Sequence, residues 1–159
     1  MSKVVLKVGD DVSTDIIYPG RFMATVLPSE TPQFAFQDLT EFNAKVRKNE
    51  FAPGSFIVAG KNFGCGSSRE QAAIAIREAG VVAVIAPTFA RIFFRNAINV
   101  GLPLIEADLP CSEGGIVRFI LAQGFVEITG KRHKVRNLSP RMQKILNAGG
   151  LVEYWRRRR

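Results

Sequence analysis

Residues 60–73 have the sequence Gly60-Lys-Asn-Phe-Gly64-Cys-Gly66-Ser67-Ser68-Arg69-Glu-Gln-Ala-Ala73, and we call residues 60–69 the glycine loop. Its glycines allow the backbone to turn sharply and to come close to a ligand. The apolar run before the loop predicts a buried strand, and the pattern after it predicts a helix closed by Gly80. In this order, free backbone N–H groups and the positive end of a helix dipole point to the same position, which favours the binding of an anion there.

The same residues also have a simpler interpretation. Ser67 or Ser68 is a suitable N-cap, Glu70 can support the first turn, and Arg69 is then a surface charge. In an anion site, Arg69 instead contributes a bidentate donor for a carboxylate or phosphate. The stretch is not a P-loop, because no Lys-Ser/Thr pair follows the last glycine, and its glycine spacing differs from the dinucleotide-binding pattern. The local pattern leaves both interpretations open.

The rest of the chain predicts an α/β fold. Apolar runs alternate with helical patterns from Phe56 to Ile105, and this order predicts a mostly parallel core sheet. One of these patterns predicts a helix that starts at Pro87 and runs through Asn99. Lys3 to Val8 predicts an opening strand. After Pro110, short strands separated by glycine turns predict a C-terminal antiparallel meander, with Lys134 to Arg136 as its last strand. Pro140 to Ala148 predicts a closing helix capped by Ser139.

Two segments have less regular patterns. Tyr18 to Pro32 contains several prolines and no clear period, so it is predicted to be a long mobile loop that is functional or disordered. Phe34 to Arg47 follows with an imperfect helical pattern. The 159 residues contain no internal repeat or linker, which predicts a single domain over residues 1–159.

Composition limits the class of function. The chain is 47% hydrophobic and 23% charged, as soluble globular proteins are. It has no apolar run of the ~20 residues that span a bilayer and no signal-peptide core, which predicts a cytoplasmic location. The net charge of +8 includes the basic tail, residues 156–159. Such a tail can bind nucleic acid, but no nucleic-acid motif accompanies it, so a solvated tail or an acidic substrate or partner is favoured.

Cysteine usage limits the cofactors. Cys65 and Cys111 are the two cysteines, a weak case for a disulfide. An iron–sulfur cluster needs three or four thiolates, so no metal site is predicted in this chain. Cys65 is interpreted as a small filler rather than a nucleophile, because the single histidine, His133, is not a matched base.

The segment Asn62–Ala73 resembles the active-site loop of the aconitase superfamily swivel domain. The resemblance is strongest to the separate small subunits of 3-isopropylmalate dehydratase and homoaconitase. It continues in Asp10–Phe22 and Ala86–Pro103 and so covers nearly the whole chain. The resemblance implies the aconitase-type swivelling β/β/α fold.

The resemblance also implies a reaction and a partner. Members of the family interconvert 2-hydroxy and 3-hydroxy acids by dehydration and rehydration. A large subunit brings a [4Fe-4S] cluster, which acts as a Lewis acid on the leaving hydroxyl. The chain is therefore expected to work as a hydro-lyase only within a heterodimer or heterotetramer.

Site residues follow from the same resemblance. Ser67 becomes the catalytic base, with its alkoxide stabilised by the glycine loop, the helix start and Arg69. Ser68 and Arg69 bind a substrate carboxylate. Asp15, which the local pattern alone makes a cap or turn residue, becomes either a catalytic carboxylate or one that supports the catalytic groups, paired with a basic group there. Residues with supporting roles are Thr14, Asn62, Gly64 and Gly66.

In related small subunits, the residues after the Thr-Asp pair contact the variable substituent of the substrate. Here these are Phe22, Met23, Ala24 and Thr25, with Arg21 close by. Homoaconitase small subunits have an arginine where Ala24 stands, whereas Met23 and Ala24 offer only apolar contact. An unpaired carboxylate would lose hydration there, which favours 2-isopropylmalate and leucine biosynthesis. Because Arg21 could neutralise an extra carboxylate, a tricarboxylate substrate remains an alternative. Citramalate and dimethylmalate are further alternative substrates. The non-enzyme alternative is a stand-alone anion-binding module.

Overall fold

The computed structural model describes residues 2–24, 27, 29–51, 54–120, 124–128 and 130–158. Within them, seven strands form one mixed sheet in the order β4-β3-β2-β1-β5-β6-β7. The strands are β1 (Ser2–Lys7), β2 (Ser55–Val58), β3 (Val81–Ala86), β4 (Leu104–Glu106), β5 (Ile116–Ile120), β6 (Phe125–Ile128) and β7 (Lys131–Lys134). Strands β1 to β4 are parallel, and β5 to β7 continue the sheet as an antiparallel meander. The predicted α/β class and sheet arrangement are confirmed.

Helices connect and cover the strands. They are α1 (Thr14–Ile17), α2 (Thr40–Arg47), α3 (Glu70–Glu78), α4 (Arg91–Val100), α5 (Pro140–Ala148) and α6 (Leu151–Arg156). As predicted, Ser139 caps α5: its hydroxyl accepts a hydrogen bond from the Met142 N–H at 3.3 Å. None of the described helices combines the length and apolar character that a membrane crossing needs.

The core lies on both faces of the parallel strands. Successive residues of a strand point to opposite faces. Ile57 therefore belongs to the cluster that α3 and α4 cover, while Phe56 and Val58 belong to a second cluster with the meander. All residues of β2 are buried, which explains why Phe56 to Val58 form a continuous apolar run rather than an alternating pattern.

Three predicted elements have different bounds. Only Thr40–Arg47 of the 34–47 pattern is α-helical, because Phe36 adopts a left-handed conformation (φ 48°) with its ring fully buried. The helix expected from Pro87 begins at Arg91, because Thr88 to Ala90 are used for hydrogen bonds to Phe63. The last strand is 131–134 rather than 134–136, since its register follows β6.

Candidate active site

Residues 10–15, which we call the flanking segment, run alongside the glycine loop. The Gly64 N–H donates to the Val12 carbonyl at 2.7 Å, and the Thr14 N–H donates to the Cys65 carbonyl at 2.8 Å. Ser13 and Cys65 form a parallel bridge. This pairing continues the direction of β1 and β2 beyond their ends. The glycine loop therefore lies at the carboxyl ends of neighbouring parallel strands, the usual ligand position in α/β sheets.

Two glycines of the loop adopt left-handed backbone conformations, with φ values of 81° at Gly64 and 90° at Gly66. A Cβ on Gly64 would lie 2.2 Å from Cγ of the buried Phe93. The nearest atoms to a Cβ on Gly66, in Ser13 and Thr14, would be 3.6 Å away. Glycine is thus required at 64 by packing and conformation, and at 66 by conformation.

Aspartates of the flanking segment hold the start of the glycine loop. Asp11 and Asn62 both have positive φ (55° and 58°), and the Asn62 side-chain amide donates to the Asp11 carboxylate at 2.8 Å. The Asp10 carboxylate accepts from the Lys61 N–H at 2.7 Å. In sequence, Gly9, Asp10 and Asp11 are typical only of a turn, so this role was missed. The available signal was that Asp and Asn tolerate the left-handed region and bond locally.

Asp15 and Arg69 form an ion pair, so Arg69 is the basic partner predicted for Asp15. The guanidinium also donates to the Tyr18 carbonyl at 3.3 Å. The Arg69 side chain is 15% exposed, whereas that of Asp15 is 58% exposed. The hydrogen bond from Arg69 and its charge, with a further bond from the Gly20 N–H, hold the pKa of Asp15 below its usual value. The Asp15 carboxyl is therefore ionised at neutral pH.

Ser67 and Ser68 are exposed, and neither of them caps α3. The N-cap position belongs to Arg69, which makes no side-chain cap bond. The predicted capping role of the serines is wrong, because the helix starts later in the chain than that role requires. The first N–H groups of α3 thus have no side-chain acceptor among the described residues, as an anion site requires. Ser67 lies beside the flanking segment, because its carbonyl accepts from the Thr14 hydroxyl at 2.9 Å.

The predicted substrate-contacting residues, 21–25, follow Asp15 in the chain. Gly20 touches the pair, since a Cβ there would lie 3.0 Å from an Arg69 nitrogen. Arg21 is paired with Asp38, and Phe22 stacks on Phe34 with ring centroids 4.3 Å apart. Met23 and Ala24 are exposed, and Thr25 lies outside the described residues.

The predicted loop 18–32 is anchored by its described ends. A 3-10 helix covers Gly20–Phe22 and another begins at Thr31, and the side chains of Tyr18 and Thr31 are buried. The Tyr18 hydroxyl donates to the Phe22 carbonyl at 2.9 Å, which fixes the first turn of the loop. The mobility of the loop stays a prediction.

Three of the predicted site residues, Asp15, Ser67 and Ser68, are exposed. A cavity of about 510 Å³ lies between α4, β4 and the start of α5, and no predicted site residue is among the described residues that line it. No group of three or more His, Cys, Asp or Glu side chains that could hold a metal occurs in the described part of the chain. Cys65 and Cys111 are both free thiols, and burial raises the pKa of Cys111.

Comparison with known proteins gives a consistent result. The chain is 43% identical to the 3-isopropylmalate dehydratase small subunit of Thermodesulfovibrio yellowstonii, over 97% of this chain and 92% of that protein. It is 47% identical to the subunit of the same name in Heliobacterium modesticaldum, over 94% of this chain and 91% of that protein. It is also 44% identical to the methanogen homoaconitase small subunit of Methanothermobacter thermautotrophicus, over 95% and 88% of the two chains.

The fold has a counterpart among solved structures. The crystal structure of 3-isopropylmalate dehydratase from Methanocaldococcus jannaschii matches with a TM-score of 0.89 and 45% identity, over 98% of this chain and 93% of that chain. The family model described as the aconitase C-terminal domain matches residues 11–108, a range that includes Asp15, Ser67 and Arg69. The chain belongs to the aconitase C-terminal domain family.

Proposed function

We propose that this chain is the small subunit of a heteromeric hydro-lyase that isomerises 2-isopropylmalate to 3-isopropylmalate by dehydration and rehydration. The observation that carries the proposal is the pairing of two distant segments, which brings Ser67 and the Asp15–Arg69 pair together at one exposed surface. The names of relatives at 43% and 47% identity support the reaction and the role as a subunit. They also support a large subunit as the partner.

Ser67 is the base that removes a proton from the carbon beside a substrate carboxylate. An ordinary serine hydroxyl is a very weak base, so the alkoxide must be stabilised strongly. Three neighbouring features are suited to stabilising it, namely the start of α3, the turn at Gly66 and the Arg69 guanidinium. Ser68 is exposed next to it and binds a substrate carboxylate together with Arg69.

The Asp15–Arg69 pair orients the guanidinium. Asp15 and the Tyr18 carbonyl both accept from Nη1 of Arg69, which leaves other N–H groups of the fork for a substrate carboxylate. Because two acceptors already hold the guanidinium, less side-chain entropy is lost when it makes a bidentate contact with the substrate. A lysine at 69 could not keep both contacts in the same plane.

A [4Fe-4S] cluster does not fit this chain. The sequence contains two cysteines, and Cys111 is buried while Cys65 donates its S–H to the Asp11 carbonyl at 3.4 Å. We place the cluster on the large subunit, where it supplies Lewis-acid chemistry. The exposed position of Ser67 and Ser68 is consistent with a site that a second chain completes.

Substrate selection is assigned to Met23 and Ala24. Both residues are exposed and follow the 3-10 helix Gly20–Phe22, which lies against the Asp15–Arg69 pair. Neither side chain can neutralise an extra carboxylate of the substrate. An alkyl substituent is therefore favoured at this position. Arg21 already has Asp38 as its partner, which weakens the argument for a tricarboxylate. Homoaconitate, citramalate and dimethylmalate chemistry are the alternative activities, and leucine biosynthesis in the cytoplasm is the proposed setting.

The test is reconstitution with a cluster-bearing large subunit from the same organism. Dehydration of 2-isopropylmalate is followed by the absorbance of the unsaturated intermediate, with homocitrate and citramalate as competing substrates. Ser67→Ala should abolish turnover without preventing assembly. Ser139→Ala, which removes an exposed hydroxyl at the start of α5, is the matched control and should stay active.

Two results would contradict the proposal. Turnover in Ser67→Ala close to that of the native chain would remove Ser67 from the reaction. Higher kcat/KM on homocitrate than on 2-isopropylmalate would favour the homoaconitase alternative. A chain that binds small anions but never gains activity with any large subunit would support the stand-alone anion-binding module.

A further inference from the structure

Thr14 contacts two carbonyl groups of the glycine loop, those of Cys65 and Ser67. Its N–H donates to the Cys65 carbonyl at 2.8 Å, and its hydroxyl donates to the Ser67 carbonyl at 2.9 Å. The Thr14 residue is only 1% exposed, so the hydroxyl is held in place by packing. Gly66, between the two carbonyls, lies against it, since a Cβ on Gly66 would be 3.6 Å from the Thr14 hydroxyl oxygen.

These two bonds determine the direction of the neighbouring amides. In a trans peptide the C=O and N–H groups lie in one plane and point in opposite directions, and the described backbone contains no cis peptide. Because the carbonyls of Cys65 and Ser67 point to Thr14, the N–H groups of Gly66 and Ser68 point away from it. Neither N–H has an acceptor among the described residues. They are two available donors, one on each side of Ser67.

We propose that Thr14 is a positioning residue for the reaction. Its buried hydroxyl fixes the Ser67–Ser68 peptide so that the Ser68 N–H, with that of Gly66, stabilises the alkoxide form of Ser67, which takes the proton from the substrate carbon and becomes the hydroxyl. The inference rests on the proposed function, in which Ser67 is the base. Without the Thr14 hydroxyl, the peptide can rotate, and the stabilising dipole is no longer preorganised.

The test compares Thr14→Val and Thr14→Ser in the assembled enzyme. Valine keeps the shape but removes the donor, and serine keeps the donor. We expect Thr14→Val to lower kcat about 10- to 100-fold near neutral pH, which is less than the ~10²–10³-fold loss seen when an oxyanion donor is removed, because the Ser68 N–H stays present and loses only its fixed position. The deficit should shrink as the pH rises, because a less stabilised alkoxide forms only at higher pH. Thr14→Ser should restore kcat, and KM should change less than kcat in both variants.

The pH profile separates positioning from a general loss of stability. Ser139→Ala removes the cap of α5 and should lower the melting temperature without moving the pH profile. A Thr14→Val enzyme with native kcat, or with the same fractional loss at every pH, overturns the inference. So does a Thr14→Ser enzyme that is as impaired as Thr14→Val.

A second measurement does not depend on assembly with the large subunit. In the full-length chain, the carbonyl carbon resonance of Ser67 should move in Thr14→Val and stay near its native position in Thr14→Ser, because that carbon reports the hydrogen bond to its oxygen. An unmoved resonance in Thr14→Val overturns the inference. If Ser67→Ala is active, the proposed function fails; if Ser67→Ala is inactive and Thr14→Val is normal, only the role of Thr14 fails.

Discussion

Replacing Gly64 by alanine tests whether the glycine loop is held by packing as well as by conformation. The added methyl group would lie 2.2 Å from Cγ and 2.5 Å from Cβ of Phe93. Rotation of the ring cannot relieve a clash with Cβ, which is fixed to α4. Phe93 is 1% exposed, so either the helix or the loop must move within a close-packed core.

The loss of stability expected for Gly64→Ala has two contributions. A non-glycine residue in the left-handed region costs about 1–2 kcal/mol, and overpacking a well-filled core adds about 1–3 kcal/mol. We therefore expect Gly64→Ala to lower the free energy of unfolding by about 2–5 kcal/mol. Gly80→Ala is the matched control, because Gly80 has φ 86° and nothing within 4 Å of an added Cβ. It should cost only the conformational part, about 1–2 kcal/mol.

Urea denaturation of the full-length chain measures both variants, and the difference between them isolates the steric contribution. Gly66→Ala is a third variant for this comparison, because the atoms nearest to its added Cβ would be 3.6 Å away. Its free energy of unfolding should match that of Gly80→Ala, while turnover of the reconstituted enzyme should fall because the loop conformation changes next to Ser67. Equal destabilisation by Gly64→Ala and Gly80→Ala would refute the packing argument.

Three further predictions concern the site. Arg69→Lys should lower kcat/KM at least about tenfold, because an ammonium cannot reproduce the planar fork, whereas Arg156→Lys in the basic tail should leave steady-state kinetics unchanged. The folded-state pKa of Asp15 is lowered, so its contribution to stability is complete above the usual aspartate pKa of about 4 and is lost as the pH falls through the folded-state pKa. Asp15→Asn should remove this part of the acid dependence in a pH series of denaturation curves, and an unchanged series would contradict the assignment. Ala24→Arg should raise the ratio of kcat/KM for homocitrate over 2-isopropylmalate, and Ala24→Met, which adds bulk without charge, should not.

The parts of the fold that could be predicted depend on local patterns. Continuous apolar runs such as 81–86 identify buried parallel strands, because both faces of those strands are covered. Glycines after helices mark where the helices end, as at Gly101 with φ 83°. The glycine loop and its arginine were recognisable for the same reason: the necessary residue types follow one another in the chain.

The parts that could not be predicted depend on contacts between distant segments. Nothing in the composition of residues 10–15 shows that they pair with the glycine loop, so the roles of Asp10 and Asp11 stayed hidden. The serines are good caps by type, but bonds between Cys65, Ser67 and Thr14 hold the loop in another conformation. Local propensity was overridden by tertiary hydrogen bonds.

The position of β1 in the middle of the sheet has a consequence for how the chain is made. β1 pairs with β2 on one side and with β5 on the other. During synthesis its second edge must therefore stay open until Ile116–Ile120 has left the ribosome. An open edge can recruit a strand from another nascent chain. Ribosomes that stall between Glu106 and Ile116 would thus release fragments whose parallel strands are all present but whose open β1 edge favours aggregation.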